Sequence, residues 1–251
     1  MILRIAVVTA WLCLIPVSAS AQDGETKSAG DLEPLAVLKK AAEAAKQIKT
    51  VRYAFKRQGL DADEDKSPKL SGTATLGGWA YKAVQKYRVE MKVQRPGTPE
   101  PTDVMAGSDG DIVYLIDAKA KKVYADLDPA VLGAQNAPVR VVLLSDFVDP
   151  EPFAEAMKAE KFESAGVVPV GGEDCYKIRT KPKSEGSEVI WFIAKKDFLP
   201  RRMDMIFPSR DGKPGGRTIE LSNLTVNPKL DSDPFKLVVP DGFTKTDDFA
   251  P

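Results

Sequence analysis

Three consecutive runs toward the C-terminal end of the chain read as strands: the wholly apolar Val189 to Ile193, then Leu199 to Phe207 and Thr218 to Val226, in which apolar and polar residues mix. They predict an antiparallel meander, followed by a proline-broken tail through Asp233-Pro234-Phe235 and Val239-Pro240-Asp241-Gly242-Phe243. In the third run the apolar phase passes from Ile219 and Leu221 to Leu224 and Val226, a slip of one residue that predicts a bulge near Ser222 and Asn223. A bulge there helps a sheet curl.

Strand alternation governs much of the first half. Val51, Tyr53 and Phe55 share one face against Arg52 and Lys56, and Tyr87, Val89, Met91 and Val93 share one against Arg88, Glu90 and Lys92. Strands are also expected over Leu70 to Leu76, Ile112 to Ile116, Lys122 to Asp126, Phe162 to Val168 and Cys175 to Thr180, with a charged hairpin connection from Asp61 to Pro68. Two regions depart from alternation. From Leu32 to Lys49, the residues Leu35, Leu38, Ala42, Ala45 and Ile48 recur at helical spacing, and Pro34 suits the first turn. Pro129 to Leu132, Val139 to Phe147 and Glu151 to Ala159 lack strand alternation and predict two or three short helices inserted between strands, with Pro138, Pro150 and Pro152 bounding the latter two stretches.

Met1 to Ala21 has one basic residue, an apolar run from Ile5 to Val17 and then Ser18-Ala19-Ser20-Ala21, the plan of a secretory signal peptide cleaved before Gln22. The run is shorter than the ~20 residues a bilayer span requires. Gln22 to Asp31 reads as a polar, flexible leader, and residues 32–251 as a single domain. The protein is therefore expected to be exported, soluble in the periplasm and monomeric. Arg4 leaves with the signal peptide, so the remaining charges nearly cancel and give no reason to expect nucleic acid as a partner.

The chain contains no histidine, which removes the commonest general base and most zinc sites, so neither enzyme activity nor a cofactor is expected. Cys175 is the one cysteine outside the signal peptide and has no base beside it in sequence; it reads as a structural strand residue. Asp109 and Asp111 flank Gly110 without the rest of a calcium loop, and Gly171-Gly172 and Gly215-Gly216 read as hairpin turns. Arg201 and Arg202 could receive an anionic head group, but a solvated strand end is the preferred reading.

The order of these pieces resembles the LolA/LolB-like superfamily of bacterial envelope proteins. The likeness rests on the N-terminal helix running into Val51-Arg52-Tyr53-Ala54-Phe55, on Gly107-Ser108-Asp109-Gly110 followed by Ile112-Val113-Tyr114-Leu115-Ile116-Asp117, and on Trp191 through Arg201. It ends with Leu221 through Pro228, Asp233-Pro234-Phe235 and Pro240-Asp241-Gly242-Phe243. The resemblance implies an α+β fold, a curved antiparallel unclosed β-barrel with an N-terminal helix and a short-helix lid over an apolar cavity. In the best-known members that cavity carries the acyl chains of lipoproteins.

The residues expected to line such a cavity are Val51, Tyr53, Phe55, Tyr87, Val89, Met91, Trp191, Ile193, Met203, Met205 and Phe207 on the strands, with Phe147, Phe153 and Met157 on the intervening helices. For any one of them taken alone, an ordinary core between sheet and helices is the preferred reading. Methionine and aromatic linings nevertheless suit adaptable apolar sites. The expected partner is a lipid or acylated protein; the alternative is an envelope sensor or protein-interaction module on the same fold, binding an envelope protein without carrying lipid.

Overall fold

A computed structural model describes residues 32–79, 85–126, 137–181, 187–207, 214–230 and 233–246. The expected signal peptide and leader, and the turn of helix expected over Pro129 to Leu132, lie outside them. One twelve-stranded sheet dominates the described residues, curved and unclosed. Its strands are β1 (Thr50–Asp61), β2 (Lys69–Trp79), β3 (Gln85–Gln94), β4 (Thr102–Ser108), β5 (Val113–Asp117), β6 (Lys122–Asp126), β7 (Lys161–Val170), β8 (Glu173–Lys181), β9 (Glu188–Ala194), β10 (Pro200–Phe207), β11 (Gly215–Val226) and β12 (Thr244–Thr246). The order across the sheet is β12-β6-β5-β4-β3-β2-β1-β11-β10-β9-β8-β7. The two halves are thus two meanders joined where β1 pairs with β11, and every pairing is antiparallel except β12 on β6. The sequence pattern did not show β12.

The expected bulge is present at that join. Arg52 pairs with Thr225 and Ala54 with Ser222, so the extra residue of β11 falls at Asn223 and Leu224, and Asn223 takes a left-handed φ of 52°. Two further devices blunt the β7 edge, a register shift between Ser164 and Val167 and the missing donor at Pro169.

Helix α1 (Pro34–Ala45) starts at Pro34 as expected but ends four residues before Lys49. Asn227 is the reason: its carboxamide oxygen accepts from the backbone N–H of Lys49 (2.7 Å) and Thr50 (3.1 Å), while its Nδ2 donates to Gln47 O (3.0 Å). These bonds draw the chain out of the helix and into β1. Ile48, in phase with the helix by sequence, consequently packs in a different cluster from Val37, Leu38 and Ala41. Further along lie α2 (Ala137–Arg140), a 3₁₀ turn (Ser145–Phe147) and α3 (Ala154–Met157), each at most one turn long.

These helices cover the concave face in two blocks. Residues 139–148 pack over β1 to β5, where Val139, Val142, Leu144, Phe147 and Val148 meet Tyr53, Phe55, Leu76, Val89 and Met91. Over β8 and β9, α1 and α3 bury Tyr176, Ile178, Trp191 and Ile193, with Phe153 edge-on to Trp191 at 5.2 Å.

The convex face is buried in places as well. Ile190, Phe192, Cys175 and Ala194 form a small cluster there, and the guanidinium of Arg202 lies over the Phe192 ring at 4.8 Å. At the other end of the sheet the segment from Asp233 to Phe243 crosses the convex side of β4 to β6. Tyr114 Oη donates to Phe235 O (3.2 Å), and the Phe235 ring lies against Gly77, where a Cβ would come within 2.8 Å of it. Gly107 has no side chain for a related reason, since Tyr114 occupies that space.

Candidate ligand-binding site

The fourteen residues expected to line a cavity all project to the concave side, in three settings. Val51, Tyr53, Phe55, Tyr87, Val89, Met91 and Phe147 are buried together in the first block. Phe153, Trp191 and Ile193 are buried in the second, with Met157 at its margin. Met203 is half-buried and packs against both blocks. Met205 and Phe207, further along the same strand, are half-buried and belong to neither. The seam between the blocks therefore follows β10 and β11.

Few polar groups hold the covering segment. Tyr53, fully buried, donates from Oη to Val142 O (2.8 Å) and accepts from the Leu144 N–H (3.1 Å), and burial pushes its phenol above the usual tyrosine range. Its ring meets Phe147 at 5.7 Å. Asp146 Oδ1 accepts from the Phe153 N–H (2.9 Å), fixing the left-handed turn (φ 57°) that starts α3. Burial raises the Asp146 pKa, the Phe153 N–H offsets this in part, and Asp149 adds to it.

A cavity opens on the other face, and the sequence pattern did not point to it. It measures about 540 Å³ and lies between the convex side of β2 to β5 and the C-terminal segment, against Met105, Ile116, Pro240 and Phe243, with Glu90, Lys92 and Asp103 among its polar lining. Lys92 and Asp103 pair at 2.8 Å. A neighbouring cavity of about 230 Å³ includes Arg52, Thr75 and Pro234 in its lining. The signal for both was the tail itself, whose apolar residues needed a surface to cover.

Arg201 and Arg202 are not a solvated strand end. Arg201 is buried, with Nε 3.0 Å from Glu173 Oε2 and a second ion pair to Asp197, and Arg202 pairs with Asp204 at 2.7 Å. Two other arginines face the concave side. Arg57 continues the inward phase of Val51, Tyr53 and Phe55, and Arg217 continues that of Ile219 and Leu221. Cys175 is fully buried on β8, where burial pushes its thiol up to about 11. Among the described residues no group of three or more His, Cys, Asp or Glu side chains could hold a metal ion, and no helix is long and apolar enough to cross a membrane.

The described residues form an unclosed antiparallel half-barrel, apolar on its concave face and roofed there by an N-terminal helix and short inserted helices, which is the architecture expected from the order of elements in the sequence. No protein-family model and no curated protein matches the sequence. The chain is similar to the solved structure of LprF from Mycobacterium bovis, at 12% identity and a TM-score of 0.49, covering 82% of this chain and 100% of that one. It is also similar to the lipoprotein LppX of Mycobacterium tuberculosis (11% identity, TM-score 0.46, 79% of this chain and 97% of that one). A third similar structure is the LolA superfamily protein NE2245 of Nitrosomonas europaea, at 9% identity and a TM-score of 0.32, covering 80% of this chain and 96% of that one.

Proposed function

We propose that this chain is an exported, periplasmic binding protein that takes a lipid or an acylated protein between the concave face and the segment 137–157, acting by binding and not by catalysis. The observation that carries this reading is the roof. Over an apolar sheet it uses two four-residue helices and a 3₁₀ turn, elements too short to persist alone; among the described residues Tyr53, bonded to Val142 and Leu144, and Gln85, accepting from Ser145 Oγ (3.1 Å), tie them to the sheet by side-chain hydrogen bonds, while Asp146 braces the segment internally. Such a segment opens at lower free-energy cost than the strands beneath it. An acyl chain entering along the seam past Met203 and Met205 would replace the contacts that the roof gives up, at about 0.8 kcal/mol per CH₂ before ordering costs.

Titration with a fluorescent fatty acid tests this, using one substitution on each face. Met205→Gln is half-exposed on the concave side and is expected to weaken binding roughly fivefold, from about 1 kcal/mol of lost apolar contact. Met105→Gln, in the convex cavity, is expected to leave the affinity unchanged. The reverse outcome moves the ligand to the convex face and overturns the proposal.

A further inference from the structure

Arg57 and Arg217 differ from the other inward-facing residues in having charge and, among the described residues, no carboxylate paired with it. Arg57 is 4% exposed and stands opposite Ile219, while Gly59, two residues on, stands opposite Arg217. The two arginines are therefore diagonal neighbours on the concave face, a relation that places positions about 7–8 Å apart and leaves their long side chains in reach of each other. Arg217 Nε is buried with no hydrogen-bond partner, and its guanidinium rests over the Phe207 ring at 5.4 Å. Among the described residues neither arginine forms an ion pair with a carboxylate, whereas Arg201 and Arg202 both do. The repulsion is felt: loss of hydration on burial, and then Arg217, lower the Arg57 pKa to about 10.

A buried lysine in such a setting would shed its proton, but a guanidinium keeps its charge at neutral pH. The pair therefore remains doubly cationic on the apolar side of the sheet, and its natural complement is an oxyanion that accepts from both forks. Around it the face is suited to a chain. Met205 lies directly opposite Arg217, and the row through Arg57 continues across Ile219 and Met203 to Trp191, whose Nε1 is a second buried donor without a partner.

We propose that Arg57 and Arg217 bind the anionic head group, a carboxylate or a phosphate ester, of the amphiphile whose chain lies against Met203, Met205 and Phe207. This rests on the reading of the concave face as an acyl-chain site, and it narrows the ligand to an anionic lipid.

Calorimetry on the full chain without its signal peptide, with dodecanoate, dodecyl phosphate and dodecanol as probes, separates the two ideas. The wild type is expected to bind one or both anions at least tenfold more tightly than the alcohol; which anion leads identifies the head group. Arg217→Gln is expected to lose that preference while keeping its affinity for dodecanol, and Arg217→Lys, which retains the charge without the fork, to recover part of it. Chain binding with no preference for the anions overturns the head-group assignment and leaves the acyl-chain reading intact. If no chain binds, inorganic phosphate alone decides: thermal stabilisation of the wild type but not of folded Arg217→Gln keeps the anion site and removes the acyl chain, and no stabilisation removes both. Should Arg217→Gln fail to fold, judged by circular dichroism, the same comparison is made with Arg57→Lys and Arg217→Lys, and undiminished preference in both overturns the proposal.

Discussion

Replacing Tyr53 with Phe removes one oxygen and leaves the ring that meets Phe147 at 5.7 Å in place. That oxygen serves two backbone groups, accepting from the Leu144 N–H and donating to the Val142 carbonyl, and both groups are buried. Each buried group left without a partner costs about 1–3 kcal/mol, so a roof that stayed closed in the variant would carry about 2–6 kcal/mol of new unfavourable energy. Opening relieves it, because water then reaches both groups. Native-state hydrogen exchange should therefore show the amides of Leu144, Phe147 and Val148 losing protection by roughly thirtyfold or more, at about 1.4 kcal/mol per tenfold. The amides of Phe55 in β1 and Leu221 in β11 should lose far less. If ligand binds only when the roof is open, the affinity for a fluorescent fatty acid should rise in the same variant, since less free energy is spent on opening. Equal loss of protection in the roof and in β1 would make the two a single cooperative unit with no gate between them. An affinity that stays constant or falls would refute the coupling of roof and ligand.

Asp146 gives a prediction in pH. Its folded pKa is raised above the unfolded value near 4, so its contribution to stability is greatest below about pH 4 and declines as pH rises through the folded pKa. Asp146→Asn keeps an acceptor for the Phe153 N–H without the charge; chemical denaturation should find it at least as stable as wild type at pH 7, with the difference shrinking on acidification, whereas Asp146→Ala should lose about 1–3 kcal/mol at either pH. Cys175, fully buried with its thiol pushed up to about 11, should react with a thiol reagent at pH 8 only at the rate of unfolding; rapid labelling of the native protein would contradict its place in the convex cluster.

What the sequence by itself determined is the local grammar. The alternation of Val51, Tyr53 and Phe55 marked β1 and its buried face, the phase slip after Leu221 marked the bulge at Asn223, and the spacing from Leu35 to Ala45 marked α1, because period and phase are properties of neighbouring residues. The roof was legible as short helices between prolines, and the likeness to a half-barrel followed from the order of the pieces. Only the tertiary structure decided which surfaces those faces meet. Phe192 and Ile190 alternate with Trp191, yet both sides of β9 are buried, since Arg202 and the neighbouring strands cover the convex side as α1 and α3 cover the other. Phe235 to Phe243 carried no period, so their place over β4 to β6, and the cavity beneath them, depended on packing alone. The arginines show the division most clearly. Arg201 and Arg202 stood out as a pair in sequence and are neutralised by Glu173, Asp197 and Asp204, while Arg57 and Arg217 lie far apart along the chain and become neighbours through the β1–β11 register. A pairing between distant strands brings charges together that no local pattern can relate.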